Sequence, residues 1–165
     1  MVKIGVISDT HIPERAKTIP NKVLDSLKEM DLILHAGDLV EMKVLEILKS
    51  ICKNVKAVYG NMDSSEVIKN LPQKELISVE GLCIGLFHGW GAPWGLIQLL
   101  NRVFKDDNPD IIIFGHSHQP FNKKEKDILY FNPGSPTDKI FSLYNSYGIL
   151  EIDNNSIKRA EIIKI

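Results

Sequence analysis

Side chains of metal-ligating type fall in five short stretches of this sequence: Asp9-Thr10-His11, Gly37-Asp38, Gly60-Asn61-Met62-Asp63, His88-Gly89 and Gly115-His116-Ser117-His118. Carboxylate oxygen, imidazole nitrogen and amide oxygen together suit divalent ions of intermediate softness: manganese, iron, nickel, cobalt or zinc. No cysteine stands in any of these stretches, which argues against a structural zinc site. Asp9, His11, Asp38, Asn61, His88, His116 and His118 are too many donors for one ion and fit two, if one carboxylate bridges. Two ions about 3.5–4 Å apart can clamp a phosphate and generate hydroxide from water at neutral pH. Residues two apart in a loop can turn toward a common centre, and adjacent glycines let the backbone turn sharply.

Each stretch alone reads better as structure than as a ligand site. Asp9-Thr10-His11 could be a turn in which the aspartate bonds its own backbone, and a lone His88 reads as a satisfied core histidine. Five loops that agree in both position and ligand type favour a shared metal centre.

That agreement depends on the elements before the loops. Val2–Ile7 reads as a buried strand, and 20–30 has helical spacing with Val23, Leu24 and Leu27 on one face. A strand follows over 31–35, a helix marked by Val44, Leu45 and Leu48, and a strand over 55–59. This β-α-β-α-β rhythm predicts a parallel sheet with right-handed crossovers. The rhythm then changes. Lys74–Val79 and 82–88 flank Glu80-Gly81 as a hairpin with a two-residue turn. A helix over 96–104 and the apolar strand Ile111-Ile112-Ile113-Phe114 come next, then short strands over 119–123, 128–131, 147–152 and 157–163. Every ligand-bearing loop thus follows the carboxyl end of a predicted strand, and these ends are expected to form one rim, where open α/β sheets bind ligands. Two packed sheets with helices outside accommodate the mixture, and residues 1–165 are expected to form one domain.

Composition narrows the partners. The net charge is −1 with no basic stripe, so no dedicated nucleic-acid grip is expected. No apolar stretch approaches membrane-spanning length, and the N-terminus turns polar too soon for a signal peptide. Cys52 and Cys83 sit far apart in apolar company, which fits buried thiols and a reducing cytoplasm.

The ordered set Asp-X-His, Gly-Asp, Gly-Asn-X-Asp, His-Gly and Gly-His-X-His resembles the calcineurin-like metallophosphoesterase superfamily. The short length, Leu34-His35-Ala36-Gly37-Asp38 and Asn132-Pro133-Gly134-Ser135-Pro136 resemble its small single-domain prokaryotic phosphodiesterase branch. The resemblance implies an α/β fold: a two-sheet mixed β-sandwich flanked by helices, in four layers. It places Asp9, His11 and His118 on one ion, Asn61, His88 and His116 on the other, and Asp38 between them with an attacking hydroxide. Asp38, Asn61 and His88 are the residues it brings closest to catalysis. Two divalent ions are implied, manganese foremost, with nickel, cobalt, iron or zinc as alternatives. The substrate implied is a small phosphodiester, and the only protein partner expected is a second copy of the chain.

The chain departs from the pattern of the larger family phosphatases at Met62, where they carry a histidine credited with protonating the leaving group. Asp63, water or a metal-bound group is then the proton source. Trp90 follows the His-Gly motif where another histidine or a small residue is common, and is expected to narrow the pocket, stack on a base or pack. His35 reads as a buried histidine outside the ligand set. Ser135 reads first as part of a turn bordering the site. Lys139 stands where relatives often carry a basic residue and is the candidate for steering phosphate.

Three other readings remain. The same fold acts as a non-catalytic scaffold in the retromer coat, in relatives that have lost key ligands; this chain has lost none. Nucleases of the double-strand-break-repair type share the motifs but are longer, with DNA-gripping segments. A phosphomonoesterase is the third, and the missing histidine after Asn61 tilts the reading toward diesters.

Overall fold

Strand β1 (Val2–Ile7) is the spine of the fold, because a hydrophobic run buried on both faces must be covered on both sides. The computed structural model describes residues 1–165. Beside β1 lie β2 (Leu32–His35) and β3 (Val55–Ala57) in parallel, crossing over through helices α1 (Asn21–Leu27) and α2 (Met42–Ile51). On its other side β9 (Ser146–Asp153) pairs antiparallel with β1, and β10 (Ser156–Lys164) closes that sheet in the order β10-β9-β1-β2-β3.

The second sheet runs β4-β5-β6-β8-β7. β4 (Lys74–Val79) and β5 (Leu82–Phe87) form the expected hairpin. Its turn residues Glu80 and Gly81 have φ of 47° and 84°, the conformation that matches the strand twist. β6 (Ile111–Ile113) runs parallel to β5 and β8 (Ile128–Asn132), and β7 (Phe121–Glu125) pairs antiparallel at the edge. Helix α4 (Leu96–Val103) precedes β6, behind a single 3₁₀ turn at Pro93–Gly95.

Three apolar clusters account for the layering. Ile4, Val6, Leu34, Ile84, Ile113 and Phe131 meet between the sheets. Val23, Leu27, Val44 and Leu48 pack the outer face of the first sheet, and Leu96, Leu99 and Leu100 the outer face of the second. The result is helix, sheet, sheet, helix, as expected. Truncating Phe131, fully buried against Gly148, would cost about 3–5 kcal/mol.

Two details differ from the sequence reading. Helix α3 (Ser65–Asn70) follows β3, capped by the Ser64 hydroxyl accepting from Val67 N–H at 3.4 Å. It shows no hydrophobic periodicity because it spans six residues and buries only Val67. The five ligand-bearing loops also do not line the rim of one sheet. Those after β1, β2 and β3 belong to one sheet and those after β5 and β6 to the other, so two rims face each other.

Candidate metal centre

The loops after β1 and β2 continue the ladder beyond their strands: Asp9 N–H donates to Gly37 C=O at 3.0 Å, His11 N–H to Asp38 C=O at 3.0 Å and Ile12 N–H to Leu39 C=O at 3.2 Å. Across the gap, His88 Nδ1–H donates to Ala36 C=O at 2.7 Å, stitching the second sheet to the first. Five of the seven candidate ligands hold left-handed backbone: Asp9 (φ 54°), His11 (42°), Asp38 (57°), His116 (69°) and His118 (57°). Non-glycine residues are strained there, and such residues cluster at functional sites. Glycine is required at Gly60 and Gly115, where a Cβ would run into the Asp38 carboxylate and into Ser8 with Asp9, respectively.

The seven side chains converge in two groups. In the first, ligand atoms of Asp9, His11, Asp38 and His118 all lie within 4.8 Å of one another, and all four residues are buried. His11 Nε2 and His118 Nε2 are 3.2 Å apart, and His118 Nε2 is 3.3 Å from Asp9 Oδ1. In the second, Asn61 Oδ1 lies 3.2 Å from His88 Nε2 and 3.0 Å from His116 Nδ1. Asp38 Oδ2 stands between the groups, 3.5 Å from His11 Nε2 and 3.2 Å from His88 Nε2.

In three of the four ligand histidines the remote ring nitrogen is engaged. His88 uses Nδ1 on Ala36, His116 uses Nε2 on Gly91 C=O at 2.8 Å, and His118 uses Nδ1 on Asp138 Oδ2 at 2.6 Å. Each donation fixes the tautomer and leaves the other nitrogen's lone pair facing inward, as metal-ligating histidines require. Cysteine-free, mixed oxygen and nitrogen donors of this kind fit divalent ions.

The charges are strongly coupled. Burial alone would raise the Asp9 carboxyl, but His88 and His118 outweigh it and hold it down to about 2. Burial alone would lower His88, yet Asp9 and the contact with Asp38 raise it to about 9, and Asp9 with Asp138 raises His118 to about 8. Protons thus sit where a cation would otherwise balance the carboxylates.

Several supporting roles differ from expectation. Asp63 does not face the cleft. Its Oδ2 accepts from Asp38 N–H at 3.0 Å and Gly60 N–H at 2.7 Å, and its Oδ1 from Val40 N–H at 2.6 Å. Burial pushes its carboxyl up, but both oxygens are occupied in tying two ligand loops together. Lys139 borders a different cavity from the ligand cluster, and the basic side chain in the cleft is Arg15. Trp90 packs edge-on against Phe87, with ring centroids 5.2 Å apart. His35 is fully buried, driven down to about 3 by that burial; it accepts from Gly37 N–H at 3.1 Å and faces Thr10 Oγ1 at 3.0 Å. The Ser135 hydroxyl, also fully buried, donates to Asp9 C=O at 2.7 Å, so it holds a ligand loop.

Asp138 was not legible in the sequence. It is 1% exposed, and besides His118 it accepts from Ile140 and Phe141 N–H, both at 3.0 Å. The only signal was its place shortly after the Asn132–Pro136 turn.

A cleft of 420 Å³ opens over the centre, walled by His11, Arg15, Asn61, Met62, His118 and Phe141. A second cavity of 200 Å³, also bordered by Asn61, is lined by Tyr59, Gln73, His88 and Trp90.

A family model described as the calcineurin-like phosphoesterase superfamily domain matches residues 2–155. A protein of Methanothermobacter thermautotrophicus named a probable metallophosphoesterase is 42% identical over 161 residues, covering 98% of this chain and 91% of its own. A Thermotoga maritima protein solved by NMR superposes with a TM-score of 0.78 at 36% identity, covering all of both chains. Vps29 of Entamoeba histolytica, solved in complex with Zn²⁺, superposes with a TM-score of 0.80 at 26% identity, covering 99% of this chain and 98% of its own.

Proposed function

The chain belongs to the calcineurin-like phosphoesterase superfamily, and on that premise we propose that it is a phosphodiesterase working with two divalent ions, manganese foremost. The observation that carries the two-ion reading is Asp38 Oδ2, which lies 3.5 Å from the His11 nitrogen of one donor group and 3.2 Å from the His88 nitrogen of the other. Asp9, His11 and His118 would hold one ion, Asn61, His88 and His116 the other, and Asp38 would serve both. When bound, such ions supply Lewis acidity and make a coordinated water acidic enough to ionise near neutral pH.

The chain's own residues do the rest. The anchored tautomers of His88, His116 and His118 hold the inward lone pairs in place. The Asp63 clamp keeps the Asp38 and Asn61 loops in register. Met62 puts a thioether and a backbone N–H, 2.8 Å from Asp38 Oδ1, where an acid side chain would otherwise sit. With Asp63 occupied, protonation of the leaving oxygen falls to solvent or a metal-bound group, which favours esters with good leaving groups. Two cavities that share Asn61 in their walls, of 420 Å³ and 200 Å³, offer room for two substituents on phosphorus, which a diester carries and a monoester does not.

A second reading, a protein-interaction scaffold, draws on the fold shared with Vps29. The complete and convergent ligand set favours hydrolysis.

The test is a panel of bis(4-nitrophenyl) phosphate and 4-nitrophenyl phosphate, assayed on metal-stripped protein and after adding manganese, nickel or cobalt. Metal-dependent turnover favouring the diester is expected. Equal activity in stripped protein sinks the metal reading, and a preference for the monoester sinks the diester reading.

A further inference from the structure

We propose that Arg15, laid over Phe141 at the cleft wall, is a specificity residue that holds a second anionic phosphoryl group on one arm of the diester. The inference rests on the phosphodiesterase reading and narrows its substrate class.

Arg15 is placed by the ligand loop itself, since its N–H donates to His11 C=O at 2.7 Å. Its side chain is 28% exposed and lines the 420 Å³ cleft. From the centre outward the order is His118, then Asp138 at 2.6 Å, then the Arg15 guanidinium at 3.9 Å from Asp138. The guanidinium thus lies one carboxylate and one imidazole away from the atoms that face the reacting phosphorus. That is the place of a substituent on the ester rather than of the scissile group.

Its donors are free. A contact of 3.9 Å is too long for a hydrogen bond. Asp138 is already engaged by His118 and by two backbone N–H groups. The guanidinium carbon sits 5.4 Å from the centroid of the Phe141 ring, within cation–π range. A planar fork of N–H donors matches phosphate oxygens in a bidentate way that no lysine reproduces.

Arg15 is the only lysine or arginine lining the cleft, where its charged neighbours include Glu14 and Asp38. A neutral arm would gain nothing from a guanidinium there, whereas a phosphoryl group would. Dinucleotides with a terminal phosphate are the simplest diesters of this class.

The experiment compares adenylyl-(3′→5′)-adenosine with its 5′-phosphorylated form, using the manganese-loaded wild type, Arg15→Ala and Arg15→Lys. Wild type should favour the phosphorylated form in kcat/KM by about tenfold or more, the size of one charge-assisted hydrogen bond. Arg15→Ala should bring the ratio to about one, and Arg15→Lys should leave an intermediate value. A purely structural Arg15 would change melting temperature and leave the ratio alone, and that result overturns the proposal. So does a wild-type ratio near one, or turnover of neither dinucleotide alongside turnover of bis(4-nitrophenyl) phosphate. No turnover of bis(4-nitrophenyl) phosphate sinks the diesterase reading itself, and this proposal with it.

Discussion

The Asp138 carboxylate lies 2.6 Å from His118 Nδ1 while being almost fully enclosed, so one buried charge sets the tautomer of a histidine 20 residues earlier. The same carboxylate gathers the backbone of Ile140 and Phe141, and Phe141 walls the cleft. Orientation of a ligand and shape of the pocket are thereby coupled.

Asp138→Asn keeps the shape and removes the charge. It should lower manganese affinity at the His118 side by about 10–100-fold, the usual loss when the partner of a ligating histidine is removed. Asp138→Ala should also destabilise the fold by about 1–3 kcal/mol, because two backbone N–H groups lose their acceptor. Calorimetric titration with manganese and chemical denaturation measure the two effects, and unchanged manganese affinity in Asp138→Asn would show that His118 needs no such anchor.

Asp38→Ala should be the most damaging single change, since one oxygen of this side chain lies 3.5 Å from the His11 nitrogen of one donor group and 3.2 Å from the His88 nitrogen of the other. Metal content should fall at both positions, and the rate should drop by more than about 100-fold, beyond the loss typical of a residue that only supports a ligand. Elemental analysis showing two metals per chain in this variant would refute the bridging assignment.

His116→Ala and His118→Ala should deplete different ions. His116 touches Asn61, and His118 touches Asp9 and His11. Both variants should fold, because the changes fall beyond the end of β6. Crystals of each soaked in manganese would report the missing ion, and loss of the same ion from both would break the pairing.

Metal binding should release protons. His88 and His118, raised to about 9 and about 8, carry protons at pH 7 in the metal-free protein and must lose them to ligate. Manganese affinity should therefore climb from neutral pH to about pH 9. Metal-free stability should run the other way. A histidine raised above its unfolded value of 6.5 stabilises the fold fully below that pH, and the contribution is lost as pH rises through about 8 and 9. Asp9, held down to about 2, contributes above pH 3.8 and loses that contribution only as pH falls through about 2. Titration calorimetry in buffers of different ionisation enthalpy, with melting curves across pH 6 to 10, tests both trends. Binding without proton release at pH 7 would contradict them.

The donor set and the strands before it were legible in the sequence, because both are local. A ligand needs its residue type and a turn, and a buried parallel strand announces itself as an apolar run. Ile111-Ile112-Ile113-Phe114 followed by Gly115-His116-Ser117-His118 carries both signals in eight residues. The β-α-β rhythm and the Glu80-Gly81 hairpin were readable for the same reason.

What only the tertiary structure decided depends on groups far apart in the chain. That two sheets share the rim follows from Phe131, Ile113 and Val6 packing face to face, which no single segment's periodicity encodes. Asp63 reads as an acid beside the site, yet three backbone N–H groups, two of them from the loop after β2, claim its oxygens. Lys139 and Arg15 are equally basic on paper, and the fold alone turns Arg15 into the cleft. Asp138 serves His118 only because the turn carrying Ser135 is pinned to the Asp9 carbonyl, 126 residues away in the chain. Residue types and turns are fixed by short-range chemistry, whereas the partners that orient them are fixed by long-range packing, and orientation is what turns seven donors into a site.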